Sequence, residues 1–240
     1  RALNSVAEKL PCFNASELAA LIGLHRYNHA FHALVRCWRR YHKASLQYWE
    51  RLTGGVTLPE AIFARHATGK VHAAVTAAVR AGEGALPRVA EEKIREAVQR
   101  SGAPQAMKDA LAEEALGRAR RARGTALEHT GLDAYEFRFG RRVEQRNRAT
   151  LRQRFGAGTS AFMVAGRVDG FEEVAGQRWV VEHKRRQRRL FAEVPRYEEV
   201  QCQAYMAMAD VVRCRLVQTL GPKVEATALA RCPRRWACIH

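Results

Sequence analysis

The spacing of apolar and polar positions along this 240-residue chain changes about halfway. From Asn14 to about Phe139 apolar residues recur at helical intervals. From Val143 onward they alternate or gather in short runs, the mark of strands. "NASELAALIGL" offers Asn14 or Ser16 as N-cap of a first helix, with Leu18, Leu21 and Ile22 on one face and Gly23 ending it. The pattern predicts a second helix over Phe31–Trp49 and a third after Pro59. "EGALP" and "RSGAP" bracket a short helix from about Arg88 to Arg100. After Pro104 a long helix runs to about Phe139, with Met107, Leu111, Ala115, Ala119 and Ala122 in register and Gly124 inside it. Strands are predicted over Val143–Arg152, Ala161–Val168 and Trp179–Lys184, then a helix over Arg196–Ala209 and a last strand over Cys214–Leu220. Helices followed by β-β-β-α-β predict an α/β fold. Residues 1–104 form its helical region, 105–222 its core, and 223–240 a tail of unclear structure, in which "RCPRRWACIH" fits no pattern.

Charged residues interrupt the strands where apolar ones belong. In the run Trp179–Lys184, Val180, Glu182 and Lys184 point one way and Trp179, Val181 and His183 the other. Both faces are partly apolar, as in a central strand. Burying Glu182 and Lys184 there is costly unless they are paired or bind something. Alone they read as an ion pair. Asp169 changes that reading, because it ends the preceding run, a hairpin-length turn away, and can lie beside Glu182 in a hard-oxygen site for Mg²⁺. A third carboxylate, Glu128, has Gly124, Thr125, Gly131, Leu132 and Tyr135 as helical neighbours, a small and apolar stripe that puts it on the packed face. A glutamate paired with a nearby arginine is the structural alternative. His129 turns about 100° away and reads as a bystander. Further on, Gln201 and Tyr205 share one face of a helix, where polar tips could orient the lysine or a phosphate.

Charge adds a partner. Lys and Arg total 41 against 24 Asp and Glu, a net +17, and 34 of the cations are arginine. Such a chain attracts a polyanion, nucleic acid first and an anionic membrane second. A GC-rich coding sequence could supply arginines as solvated helix faces, but it leaves unexplained why acidic residues did not rise with them. No run approaches the roughly 18 apolar residues of a membrane span, so a soluble protein is expected. The six cysteines include no C-x-x-C pair, which predicts reduced thiols and an intracellular setting of open compartment. The chain opens on Arg1, which reads as a trimmed or mature fragment with any targeting segment out of view.

Taken in order, G-x-x-x-E (Gly124 to Glu128), G-R-V-D-G (Gly166 to Gly170), E-H-K (Glu182 to Lys184) and Q-x-x-x-Y (Gln201 to Tyr205) resemble the RecB-like branch of the PD-(D/E)XK nuclease superfamily. "NASELAALIGLHRYN" and "RGTALEHTGLDAYE" look like its YqaJ viral-recombinase group, which includes the lambda-type exonuclease. The resemblance spans about Lys9 to Leu220. It implies a restriction-endonuclease-like core, a mixed central sheet flanked by helices, with an N-terminal helical region. It implies a metal-dependent DNA exonuclease, 5′→3′ on duplex ends, serving recombination or repair. By that similarity Asp169 and Glu182 hold Mg²⁺, or Mn²⁺ as a substitute, with the His183 backbone carbonyl, and Glu128 completes the site. Lys184 orients and activates the attacking water, and Gln201 and Tyr205 support the lysine or the DNA. Ser16 and, seven positions earlier, Lys9 contact a terminal 5′-phosphate, although the family usually places arginine at Lys9. Some nucleases of this type bind an iron–sulfur cluster through one upstream and three downstream cysteines; Cys232 and Cys238 lack the close third partner. The Cys/Arg/Trp-rich tail stands where further helix is expected. Two other readings stay open: a nucleic-acid-binding protein of nuclease fold without turnover, and a nuclease acting on RNA or single-stranded DNA. A homo-oligomer or a recombination partner protein is open as well.

Overall fold

The computed structural model describes residues 10–26, 28–54, 58–81 and 86–234. Among them the architecture is α/β, two mixed sheets flanked by helices behind a helical N-terminal part. Strand β1 (Cys12–Asn14) leads into α1 (Ala15–Leu21), where the Asn14 N–H donates to Glu17 Oε2 at 2.9 Å. Asn14 is thus the cap, and Ser16 lies in the first turn.

Both long helices expected from the periodicity are broken. Phe31–Trp49 is two helices, α2 (Ala30–Tyr41) and α3 (Lys43–Thr53), parted at His42, whose Nδ1 accepts from the Ser45 N–H at 3.2 Å and caps the second. Then come α4 (Pro59–His66), α5 (Gly69–Arg80) and α6 (Arg88–Gln99). The run after Pro104 is α7 (Gln105–Ala126) and α8 (Glu128–Phe139), with Leu127 at φ −106°, ψ 7° between them. Leu111, Ala115, Leu116 and Ala119 of α7 pack on Ile62, Val71, Ile94 and Val98. The helical region therefore has its own core and continues to Ala126, past the boundary at 104 drawn from the sequence.

The strand expected over Val143–Arg152 starts later, as β2 (Thr150–Phe155). Gln145 and Asn147 adopt φ 50° and 55°, which breaks extended pairing and leaves only a bridge from Glu144 to Phe171. β2 pairs antiparallel with β3 (Phe162–Arg167), whose other edge takes β1 in parallel. In the second sheet β4 (Gly170–Val174) and β5 (Gln177–Arg185) form a hairpin. Its two turn residues, Ala175 and Gly176, have φ 51° and 73°, the paired positive values that match strand twist. β5 passes through α9 (Arg196–Met208) to β6 (Arg213–Leu220), a parallel crossover. β7 (Lys223–Ala230) closes the sheet against β6, so the first part of the segment 223–240, whose structure the sequence left unclear, belongs to the core. Its alanine-rich sequence has weak strand preference; the open edge of β6 recruits it.

The second sheet is buried on both faces. Val180 and Leu216 join Val164 of β3, Leu18 of α1 and Ala204 and Met206 of α9 in one cluster; Val181 and Val217 join Leu132 and Tyr135 of α8 in another. Gly166 permits the close approach on the first side, since a Cβ there would lie 2.5 Å from Tyr205 Cε1 and 3.2 Å from Ala15 Cβ.

Candidate active site

Because β5 is flanked by β4 and β6, its alternation carries Glu182 and Lys184 toward α9 and His183 toward α8. The β4–β5 ladder ends with Gly170 opposite Val181, and one more step sets Asp169 opposite Glu182. Asp169 Oδ2 accepts the His183 N–H at 2.6 Å. The sequence suggested that Asp169 and Glu182 belong to neighbouring runs of one hairpin. Instead β4 intervenes, and Asp169 stands where the chain crosses from one sheet to the other. In an extended strand a residue's N–H and C=O share an edge, so the His183 carbonyl also faces the Asp169 side.

The break at Leu127 makes Glu128 the first residue of α8, buried, rather than a mid-helix position. It lies near enough to Asp169 to act on that residue's proton affinity. Burial, then the charges of Glu182 and Glu128, hold the Asp169 carboxyl well above the usual carboxylate range. Burial raises Glu182 as well, against the opposing pull of Lys184. Glu128 Oε1 and Glu182 Oε2 are buried with no hydrogen-bond partner. Leaving a buried polar atom bare costs about 1–3 kcal/mol. Glu172, also buried, shows the contrast: one oxygen accepts from Tyr135 Oη at 2.6 Å and the other from Arg215 Nε at 2.9 Å. That carboxylate is structural; of the other three, Glu128 and Glu182 each keep one buried oxygen without a partner.

Two of their oxygens already accept hydrogen bonds. Asp169 Oδ2 is taken by a backbone N–H, and Glu182 Oε1 accepts from Lys184 Nζ at 2.7 Å. Among the described residues no group of three or more His, Cys, Asp or Glu side chains is arranged so that it could hold a metal ion.

Lys184 Nζ also donates to Gln201 Oε1 at 3.1 Å. Gln201 Nε2 donates to Tyr205 Oη at 3.1 Å, and that hydroxyl donates to the Arg167 carbonyl at 3.0 Å. A hydrogen-bonded line thus runs from the β3 backbone through α9 to the lysine. Burial opposes the Lys184 charge, but Glu182, then Asp169 and Glu198, outweigh it and hold the proton affinity above the ordinary range. Lys184 is a cation at neutral pH. Burial and the Glu182 charge raise Tyr205, which stays neutral.

The His183 ring is on the far face, with Nε2 2.8 Å from Thr219 Oγ1. Burial, then Lys184, Arg185 and Arg186, lower its pKa to about 4. It is a neutral packing group. His129 is exposed. Ser16 is exposed and lines a separate cleft of about 840 Å³ with His25, Asn28, His32, Arg36 and Arg118. Lys9 lies outside the described residues.

The sequence reading missed a buried pair that borders the site. Arg186 Nη1 and Nη2 donate to the two oxygens of Glu198 at 2.6 Å each, and Nε donates to Gln218 Oε1 at 2.7 Å. Its signal was spacing: Arg186 stands two residues beyond Lys184, and Glu198 three before Gln201 on α9.

No family profile matches the sequence, and no curated protein matches it. Solved structures with some similarity include SSO0001, at 16% identity and TM-score 0.39, covering 56% of this chain and 64% of that protein's length. Two structures of LHK-Exo, an alkaline exonuclease from Laribacter hongkongensis, match at 13% identity over 96% of this chain and 83% of theirs. Their TM-scores are 0.43 and, in complex with dAMP, 0.46. Among the described residues no helix is long and apolar enough to cross a membrane.

Proposed function

We propose that this protein is a metal-dependent DNA exonuclease that hydrolyses phosphodiester bonds from duplex ends, 5′→3′, in recombination or repair. The observation carrying this reading is the convergence of Glu128, Asp169 and Glu182 beside a cationic lysine, with two buried carboxylate oxygens left bare. Carboxylates and a strand carbonyl make the hard-oxygen donor set that suits Mg²⁺ or Mn²⁺. Glu128, Asp169, Glu182 and the His183 carbonyl would hold the ion, exchanging their present internal partners for it. Such an ion, when bound, supplies positive charge to the scissile phosphate and a nucleophilic water at neutral pH.

The remaining work falls to the chain. Lys184, tethered by Gln201, is placed to hold a water or phosphate oxygen next to the carboxylates. With its proton held firmly it acts as a positioned charge and donor. Tyr205 fixes Gln201 from the β3 backbone. The net +17 supplies attraction to the phosphate backbone. Polarity rests on Ser16 and Lys9 alone, as the groups for a terminal 5′-phosphate.

The test is to incubate the protein with end-labelled duplex DNA, single-stranded DNA and RNA, in Mg²⁺, Mn²⁺ or EDTA. Degradation of duplex DNA with either ion and none in EDTA is expected. Binding without cleavage would leave a nucleic-acid-binding protein, and preference for RNA would change the substrate. Parental cleavage by Asp169→Asn at saturating Mg²⁺ would sink the site.

A further inference from the structure

An aromatic face on α2 and α3 is left outside the carboxylate site. Phe31, Leu34, Trp38 and Tyr41 recur at three- and four-residue spacing and make one stripe along α2, bordered by the buried Val35 on which Trp38 packs; Ala33 and Cys37 are buried on the opposite side. On α3, Tyr48 and Leu52 stand one turn apart beside Trp49. The Phe31 and Trp49 ring centroids are 6.3 Å apart and those of Trp38 and Trp49 5.7 Å; the two half-buried tryptophans pack on Val35, Leu46 and Leu58 and join the exposed rings of the two helices from beneath. Phe31 is 46% exposed, Leu34 49%, Tyr48 59% and Leu52 67%. Clustered apolar exposure of this kind marks an interaction surface.

Its charge is one-sided. The Arg51 guanidinium lies 6.0 Å from the Tyr48 ring centre, and Lys43 opens α3. Among the described residues neither has a carboxylate partner, while Glu50 is answered by Arg39 at 3.6 Å. We infer that this face is a stacking platform for single-stranded nucleic acid, with Phe31, Tyr41 and Tyr48 taking bases and Lys43 and Arg51 following the phosphates. Bases have π-faces that stack on exposed rings whatever their identity, and flanking cations track the backbone. Charge selects this occupant: a second copy brings its own +17 to a cationic face, whereas a polyanion complements it. The inference does not depend on the nuclease reading.

The experiment is fluorescence anisotropy in EDTA, with a labelled oligothymidylate and an abasic oligomer of equal length. Equal phosphate number isolates the bases. The parent should bind oligothymidylate at least about tenfold more tightly, the size of one or two stacked bases. Phe31→Ala with Tyr48→Ala should erase that difference while abasic binding persists, and Tyr48→Phe should preserve it. If the double variant melts early, Tyr48→Ala and Tyr41→Ala singly carry the same readout. Equal affinity of the parent for both oligomers overturns the inference. So does a concentration-dependent dimer that the double variant dissolves, or capture by phosphatidylserine vesicles in preference to the oligonucleotide.

Discussion

Gly131, near the start of α8, faces the strand that carries the site, and replacing it by alanine tests how closely the two elements meet. A Cβ there would lie 2.6 Å from His183 Cε1 and 3.1 Å from Cδ2, and nearer still to Nε2. Non-bonded carbons need about 3.5 Å. The imidazole must therefore move or rotate, yet it is buried and bonded to Thr219. Losing that hydrogen bond costs about 0.5–1.5 kcal/mol, and overpacking adds about 1–3 kcal/mol. The better helix propensity of alanine returns about 1 kcal/mol. The net is a destabilisation of roughly 0.5–3.5 kcal/mol, which for a chain of this size lowers Tm by about 1–14 °C. Calorimetry of the ion-free protein measures it. Adding His183→Ala should recover much of the loss, because the clash disappears with the ring. Cleavage by Gly131→Ala should fall further than unfolding explains, since the same α8 begins with Glu128 and the His183 N–H holds Asp169. An unchanged Tm in Gly131→Ala would refute the close packing of α8 on β5.

Asp169 and Glu182 have folded pKa values raised above their unfolded ones, so the folded state holds more protons across that interval and its stability falls as pH rises through it. Asp169→Asn should therefore be more stable than the parent in EDTA at neutral pH, an advantage that vanishes below the ordinary carboxylate range; urea titrations showing a more stable parent at neutral pH would contradict this. Lys184→Met should lower the cleavage rate on the order of 10²-fold or more, the scale of a lost positioned charge, and unchanged turnover would reduce Lys184 to a structural ion pair. Glu198→Ala strands the buried Arg186 guanidinium and should cost about 3–5 kcal/mol in denaturant unfolding; a loss under about 1 kcal/mol, the surface-pair scale, would show the pair to be marginal. The logarithm of DNA affinity should fall linearly with that of salt, at about −0.9 per phosphate contacted, and a flat response would leave the arginines without a backbone role.

What the sequence made legible was periodicity that a single element satisfies. β5 and α9 stand where alternation and helical spacing put them, and so Lys184 meets Gln201, and Gln201 meets Tyr205. Of the stripe expected around Glu128, Gly131, Leu132 and Tyr135 are buried, whereas Gly124 and Thr125 lie on α7 across the break, half-buried and exposed. Breaks were illegible where tertiary contacts impose them. Leu127 parts two helices with neither proline nor glycine at the junction, because α7 follows the core of α4–α6 while α8 turns to the sheet. The division into two sheets depends on pairing partners far apart in the chain, which no local pattern encodes. β7 was hidden for the converse reason: "KVEATALA" is a strand only because β6 lies beside it.

The crossing from β5 through α9 to β6 has a consequence in time. The site draws on residues 128, 169, 182–184 and 201–205, and β5 becomes an interior strand only when residues 213–220 lie along its second edge. A chain emerging from a ribosome thus displays most of its arginines long before it can assemble its carboxylates. Contacts that close such long loops form late in folding. Under the proposed reading, hydrolysis switches on with the last native contacts, and an unfinished chain holds nucleic acid without cutting it.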